Sequence, residues 1–170
     1  IKEEKTEMLE FRKGNLEMKY RLPLDAVNDI IDENGNLKGE YKAFEIQKAT
    51  ELSLQYYGFL HTHPIFSNLH VRKAFCYAID RKKIVDYTVK GEGIPAFNGI
   101  VPLGMNGYNN EAVKGFTFDP AKAKEELKLA GFENGKNFPK ITLQINSGGG
   151  RNEKVAEAIT AMLKENLNVE

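Results

Sequence analysis

All three histidines of this 170-residue chain lie within ten residues, in the stretch HTHPIFSNLH from His61 to His70. His61 and His63 are two residues apart, so their side chains share one face if the segment is extended. Imidazole pairs of this kind are frequent zinc ligands, and a zinc ion with an open coordination position activates water for hydrolysis. One hypothesis for this chain is therefore a zinc-dependent hydrolase that uses His61 and His63.

A catalytic zinc ion needs three protein ligands, and the sequence does not supply the third. In the zinc-dependent isopeptidases with a His-x-His-Pro motif, a Ser and an Asp follow at set positions, and neither residue stands at its position here. His70 is expected to begin a helix, and Cys76 is the only cysteine and lies in an apolar helical pattern. The alternative to a metal site is a set of loop histidines, and on that interpretation we expect no metal, no cofactor and no enzymatic activity.

The composition is that of a globular protein, with 41% hydrophobic and 28% charged residues. Lys+Arg and Asp+Glu both number 24, and this zero net charge argues against a nucleic-acid partner. No apolar run approaches the ~20 residues of a transmembrane helix. The chain has no initiator Met and no apolar leader at its start, so we expect it to be a segment of a longer protein.

Hydrophobic spacing and turn residues predict an α/β fold. Helices are predicted at 3–13, 23–32, 68–79, 81–90, 118–131 and 151–167. Strands are predicted at 16–22, once or twice within 42–60, at 140–146, and from 168 onward. The order strand, glycine-rich loop, helix, strand after residue 140 is that of a βαβ unit.

Two places in this arrangement are candidates for ligand binding. In the predicted strand QYYGFL, Tyr56 and Gly58 share one face, and one face of such a strand can line a cleft while the other packs in the core. After the strand at 140–146, Ser147 begins an SGGG run and Arg151 opens a helix, a setting that favours a bound carboxylate or other anion. A nucleotide-binding glycine motif is absent, and a flexible connection is the alternative.

Residues 56–104 contain three motifs in order: PIF (64–66), VRKAFCYAIDRKKIV (71–85) and GEGIPA (91–96). With these motifs in register and without gaps, the segment closely resembles the solute-binding proteins of peptide- and nickel-type ABC importers, the family 5 oligopeptide- and dipeptide-binding group. FTFDPAKAKEELKLAGF (116–132) is similar to a further family motif, and weaker matches extend over almost the whole chain.

The resemblance implies part of a periplasmic-binding-protein type II-like lobe, with a mixed sheet flanked by helices. It implies that residues 1–48 end the first lobe and that residues 49–170 begin the second, peptide-binding lobe. In the family, two lobes close over the ligand. The resemblance also implies that the histidines lie in a variable linker and that Arg72, Asp80 and Arg81 are structural.

The function that the resemblance implies is capture of peptides, or of a related small solute, outside the cytoplasm. Delivery would be to the membrane permease subunits of an ABC importer, from the periplasm or from a lipoprotein anchored at the cell surface. Four residues are expected to face the ligand: Tyr56, Gly58, Ser147 and Arg151. The remaining ligand contacts would come from the rest of the longer chain, and no catalytic residue is expected.

The missing third ligand leads to a prediction about zinc. Elemental analysis of the purified protein should find zinc well below one atom per chain, because two histidines alone do not complete a tetrahedral site. A His61→Ala/His63→Ala variant should give the same value. Stoichiometric zinc that disappears in this variant would contradict the prediction.

Overall fold

The computed structural model of the chain describes residues 3–146 and 150–170. Its α-helices are α1 (Glu4–Arg12), α2 (Val27–Ile30), α3 (Pro64–Ser67), α4 (Leu69–Ala78), α5 (Arg81–Lys83), α6 (Pro120–Leu129) and α7 (Gly150–Leu167). A π-helical turn, Ile84–Thr88, continues α5, and short 3₁₀ turns lie at Gly39–Ala43, Asn110–Ala112 and Glu133–Gly135. The six helices predicted from sequence are therefore confirmed in position, although the second is much shorter than expected.

The predicted strands are not found as strands in residues 3–146 and 150–170. The one β-bridge within these residues joins Ile31 to Leu37 across a tight turn. Residues 53–60 and 140–146 are extended, whereas 16–22 contains bends and 39–43 forms a 3₁₀ turn. Alternating side chains describe an extended segment, but a strand also needs a neighbour for its backbone hydrogen bonds, which a local pattern cannot supply.

The chain divides into two compact units. The first contains residues 1–50 and 145–153, and the second contains residues 51–144 and 154–170. The predicted assignment of 1–48 and 49–170 to two lobes of a longer protein stays a prediction.

In the first unit, α1 is joined to the segment that follows it by a largely buried ion pair. Lys19 Nζ lies 2.8 Å from Glu7 Oε2, and the Lys19 side chain is only 3% exposed. Further along, Asp32 accepts the backbone N–H groups of Asn34 and Asn36, which forms the turn between Ile31 and Leu37. These hydrogen bonds lower the pKa of the Asp32 carboxyl, and the one from the Asn36 backbone N–H has the largest effect.

The second unit is organised around the contact between α4 and α6. The side chains in this contact have little or no exposed surface: Val71, Ala74, Phe75 and Ala78 from α4, and Ala123 and Leu127 from α6. The later part of α7 completes the core with its own apolar stripe: Ile159, Leu163 and Leu167. Small alanines at the contact allow the helix backbones to approach closely.

Asp119 supports this packing at the start of α6. Its carboxylate accepts the Lys122 backbone N–H at 2.9 Å, which is the N-cap that an Asp directly before a helix favours. Pro120 occupies the first turn, where a missing N–H costs nothing. The backbone N–H of Asp119 also donates to the Tyr77 carbonyl at 2.9 Å, so the same residue joins α6 to the end of α4.

The last carbonyls of α4 are satisfied from three different segments. Besides the Asp119 N–H on Tyr77, the Arg81 guanidinium donates to the Cys76 and Ile79 carbonyls at 3.3 and 3.4 Å. The Asn166 side-chain amide donates to the Ala78 carbonyl at 2.8 Å, and Asn166 is 9% exposed. A helix end that would otherwise hold orphan acceptors is thus tied to the start of α5, to the start of α6 and to α7.

The buried Asn166 amide leads to a stability prediction. Asn166→Ala should lower the free energy of unfolding by about 1–3 kcal/mol, because the Ala78 carbonyl stays buried and loses its donor. Denaturant titration measures this difference. Glu165→Ala is the matched control, since Glu165 is the exposed neighbour on the same helix and should change stability little. Equal losses in both variants would contradict the assigned role.

Candidate functional site

The three histidines occupy three different local environments. His61 is exposed in a turn, while His63 precedes α3 and its Nδ1 accepts the Ile65 backbone N–H at 3.3 Å. His70 lies in the first turn of α4, where its Nδ1–H donates to Glu126 Oε2 of α6 at 2.6 Å. His63 therefore caps a helix and His70 joins two helices, which are structural roles.

No group of three or more His, Cys, Asp or Glu side chains that could hold a metal ion occurs in residues 3–146 and 150–170. Glu126, which is closest to His70, also lies 3.6 Å from the Lys73 ammonium. Its carboxylate is only 14% exposed and is thus engaged by two groups of α4. The geometry gives no support to a hydrolytic zinc centre at His61 and His63.

Tyr56 and Gly58 lie on the extended segment that leads into α3. Tyr56 is 70% exposed, and a Cβ added at Gly58 would meet no atom within 4 Å. Gly58 has an ordinary backbone conformation, so neither strain nor crowding in the second unit requires a glycine there. Glycine at such a position of an extended segment is typical of a place that another backbone or a ligand approaches closely.

Phe59 points the other way, as the alternation predicted. It packs against the core of the second unit, with its ring centroid 5.2 Å from Phe66 and 6.1 Å from Phe75. Tyr57, predicted to share that face, is 39% exposed. Tyr56 and Gly58 are thus open to solvent, while Phe59 attaches the segment to the core of the second unit.

Arg151 belongs to the first unit and lies in the first turn of α7, as the sequence predicts. Its side chain is 17% exposed, and Nη2 lies 3.9 Å from Glu4 Oε1. A carboxylate of the chain itself therefore already approaches this guanidinium. Ser147, the other residue expected at this place, lies outside the described residues.

The loop at 91–118 carries no charged residue between positions 93 and 110. Its two halves are joined by side-chain amides, since Asn98 donates to the Val113 carbonyl at 3.0 Å and Asn110 to the Val101 carbonyl at 3.1 Å. At Gly115 an added Cβ would lie 2.1 Å from the Phe97 carbonyl oxygen, so only glycine allows this crossing of the two halves. The loop is a folded surface element of the second unit.

A cleft of about 270 Å³ in the second unit lies beside the end of α7. It is lined by Phe138, Lys140, Lys164, Asn168, Val169 and Glu170. Neither Tyr56 nor Gly58 borders it. The Lys164 ammonium lies 2.6 Å from Glu170 Oε1, and this contact lowers the pKa of the Glu170 carboxyl.

Sequence reasoning missed the polar contacts that hold the elements together. The links from Glu126 to His70 and from Asn166 to Ala78 join residues 56 and 88 positions apart, and no local pattern signals them. The role of Arg72 was indicated by the sequence, because the family resemblance implies that this residue is structural. It donates to the Phe66 and Ser67 carbonyls at 2.6 and 3.0 Å and so closes the end of α3.

This arrangement of helix contacts and exposed extended segments matches a known class of proteins. The family model of bacterial extracellular solute-binding proteins, family 5 Middle, matches residues 1–170, and the chain belongs to this family. A periplasmic oligopeptide-binding protein from Borrelia burgdorferi has a similar structure, with a TM-score of 0.70. That match is 23% identical in sequence and covers 100% of this chain and 32% of the other, so the chain has the fold of part of a periplasmic binding protein.

Curated relatives agree with the family. The chain is 34% identical over 140 residues to the di/tripeptide-binding protein 3 of Pseudomonas aeruginosa (strain UCBPP-PA14), which covers 82% of this chain and 25% of that protein. It is 33% identical over 121 residues to the dipeptide-binding protein of Escherichia coli (strain K12), which covers 71% and 22%. The chain thus spans about a quarter of the length of these relatives. They lend no support to the zinc-dependent hydrolase.

Cys76 is the only cysteine of the chain, and its surroundings lead to a prediction. Burial raises the pKa of the Cys76 thiol, against the opposing effect of the Arg81 and Arg72 guanidinium groups. The nucleophilic thiolate should therefore form at a higher pH than in an exposed cysteine. At pH 8 the native protein should react with Ellman's reagent (DTNB) more slowly than the protein unfolded in guanidinium chloride. Equal rates in the two states would contradict this.

Proposed function

We propose that this chain is part of an extracytoplasmic solute-binding protein that captures peptides, or a related small solute, and delivers them to an ABC importer. The family match over residues 1–170 carries the proposal. It is supported by relatives that are named for dipeptide and tripeptide binding. On this proposal the protein performs no covalent chemistry and works by binding and release.

The proposal includes a place and partners. The protein would act in the periplasm or as a lipoprotein at the cell surface, and its partners would be the ligand, the membrane permease subunits and the remainder of the longer chain. None of the helices in the described part of the chain has both the length and the apolar composition needed to cross a membrane.

We also propose that the extended segments join a mixed sheet flanked by helices in the longer protein. The Ile141 N–H donates to the Glu170 carbonyl at 3.3 Å, so the segment after residue 139 already lies beside the end of α7. On the same proposal, residues 1–48 belong to the end of the first lobe and residues 49–170 to the first part of the second. Hydrogen exchange on the longer protein would test the sheet through protection of the amides at 53–59.

Tyr56, Gly58, Ser147 and Arg151 are proposed to line the peptide-binding cleft. The exposure of Tyr56 and the open space at Gly58 support the first two. An extended peptide can pair with an extended backbone, and a missing side chain permits that close approach. Arg151 is proposed to meet the ligand carboxylate, in competition with Glu4.

The function is tested on the full-length protein. Native mass spectrometry should find peptides that copurify, and titration calorimetry with a di- to pentapeptide panel should give saturable binding. A protein that binds no member of the panel, before and after removal of copurified ligand by unfolding and refolding, would refute peptide capture. Binding of another small solute alone would keep the transport role and change the cargo.

Arg151 is tested with ligands that differ only at the C-terminus. Full-length Arg151→Ala should lose roughly 1.5–3 kcal/mol of affinity for a peptide with a free carboxylate, because a charged hydrogen bond is removed, and almost none for its C-terminal amide. Glu4→Gln is the matched control, since it removes the competing carboxylate and should not weaken binding. Equal losses for acid and amide would remove Arg151 from the site.

A further inference from the structure

The segment that bears Tyr56 and Gly58 has little to hold it in place by its own backbone. Among the residues that the structure describes, no backbone hydrogen bond joins 52–59 to another residue, and the next one along the chain is His63 N–H to the Leu60 carbonyl at 2.9 Å. Leu54 is partly buried, and the other residues of 52–58 are exposed. A segment of this kind must be positioned by side-chain packing.

Within 51–60, Phe59 is the residue that packs against the core of the second unit, as far as the described residues show. Its ring forms a closed triangle with Phe66 of α3 and Phe75 of α4, whose centroids are 5.6 Å apart. The Phe75 ring is only 4% exposed and belongs to the contact between α4 and α6. Phe59 is thus packed against the buried contact between α4 and α6.

Resting on the proposed function, we propose that Phe59 is the positioning residue for the ligand-facing pair Tyr56 and Gly58. In an extended chain, with a rise of about 3.3 Å per residue, Tyr56 and Gly58 precede Phe59 by no more than about 10 Å. The Tyr56 side chain and the open position at Gly58 then lie on the face opposite to the Phe59 ring. Fixing the Phe59 ring therefore fixes where Tyr56 and the open space at Gly58 meet a ligand.

The chain offers a matched control in Phe138. Its ring lies 5.9 Å from Phe75, against 6.1 Å for Phe59, and both are partly buried side chains packed on the same core. Phe138 lies beyond α6 and is not part of the segment 51–60. Phe59→Leu and Phe138→Leu should therefore lower the melting temperature to a similar extent, and only the first should disturb Tyr56 and Gly58.

Peptide binding by the full-length variants is measured at a temperature well below both melting temperatures. We expect Phe59→Leu to bind about tenfold more weakly, mainly through faster dissociation, and Phe138→Leu to stay within about twofold of the wild type. Phe59→Met, which keeps most of the volume, should recover part of the loss. It is also the variant of choice if Phe59→Leu does not fold.

A second measurement needs no ligand. With 3-fluorotyrosine at position 56, the ¹⁹F signal of the free full-length protein should shift or broaden in Phe59→Leu and stay unchanged in Phe138→Leu. If both variants bind peptide with the affinity of the wild type and the ¹⁹F signal is unchanged, the positioning role is overturned and the proposed function stands. A wild-type protein that binds no peptide would overturn the proposed function and, with it, the ligand-facing role of this pair.

Discussion

The close contact between α4 and α6 is the constraint on which the rest of the second unit depends. Ala74, Ala78 and Ala123 have no exposed surface, so the two helices meet where side chains are smallest. Close-packed interiors transmit strain, so a larger residue at these positions would move the helices apart. The same approach brings Asp119 to the Tyr77 carbonyl and Glu126 to His70. The polar links across this contact thus follow from its small side chains.

The motif VRKAFCYAIDR, which carries the family resemblance, has a physical explanation in these contacts. Its polar members complete helix ends: Arg72 donates to carbonyls at the end of α3, Asp80 accepts the Lys83 N–H, and Arg81 donates to carbonyls at the end of α4. Most of its apolar members belong to the hydrophobic core of the second unit, together with residues of α6 and α7. Because its residues complete helix ends and pack in the core, the motif identifies the fold and the family. It carries no information on the ligand.

On the proposed function, ligand selection depends on the residues that the core does not use. Tyr56 and Gly58 are exposed, and the segment around them has no backbone partner among the described residues. Residues that are exposed and make no core contact can differ between relatives that bind different ligands. In this chain, core packing and the proposed ligand contact come together at Phe59, which packs on the core one residue after Gly58.

The sequence alone determined the helices, the Asp119 cap and the family. These are local properties, because helical spacing, capping side chains and breaking glycines act within a few residues. It also indicated that Phe59 and Tyr56 face opposite sides, since side chains alternate in any extended chain. The tertiary structure left the predicted strands without strand partners among the described residues, and it brought His70 to Glu126, Asn166 to the Ala78 carbonyl and Arg81 to the Phe116 carbonyl. Those contacts join residues far apart in the chain, so they exist only once α4, α6 and α7 have packed together.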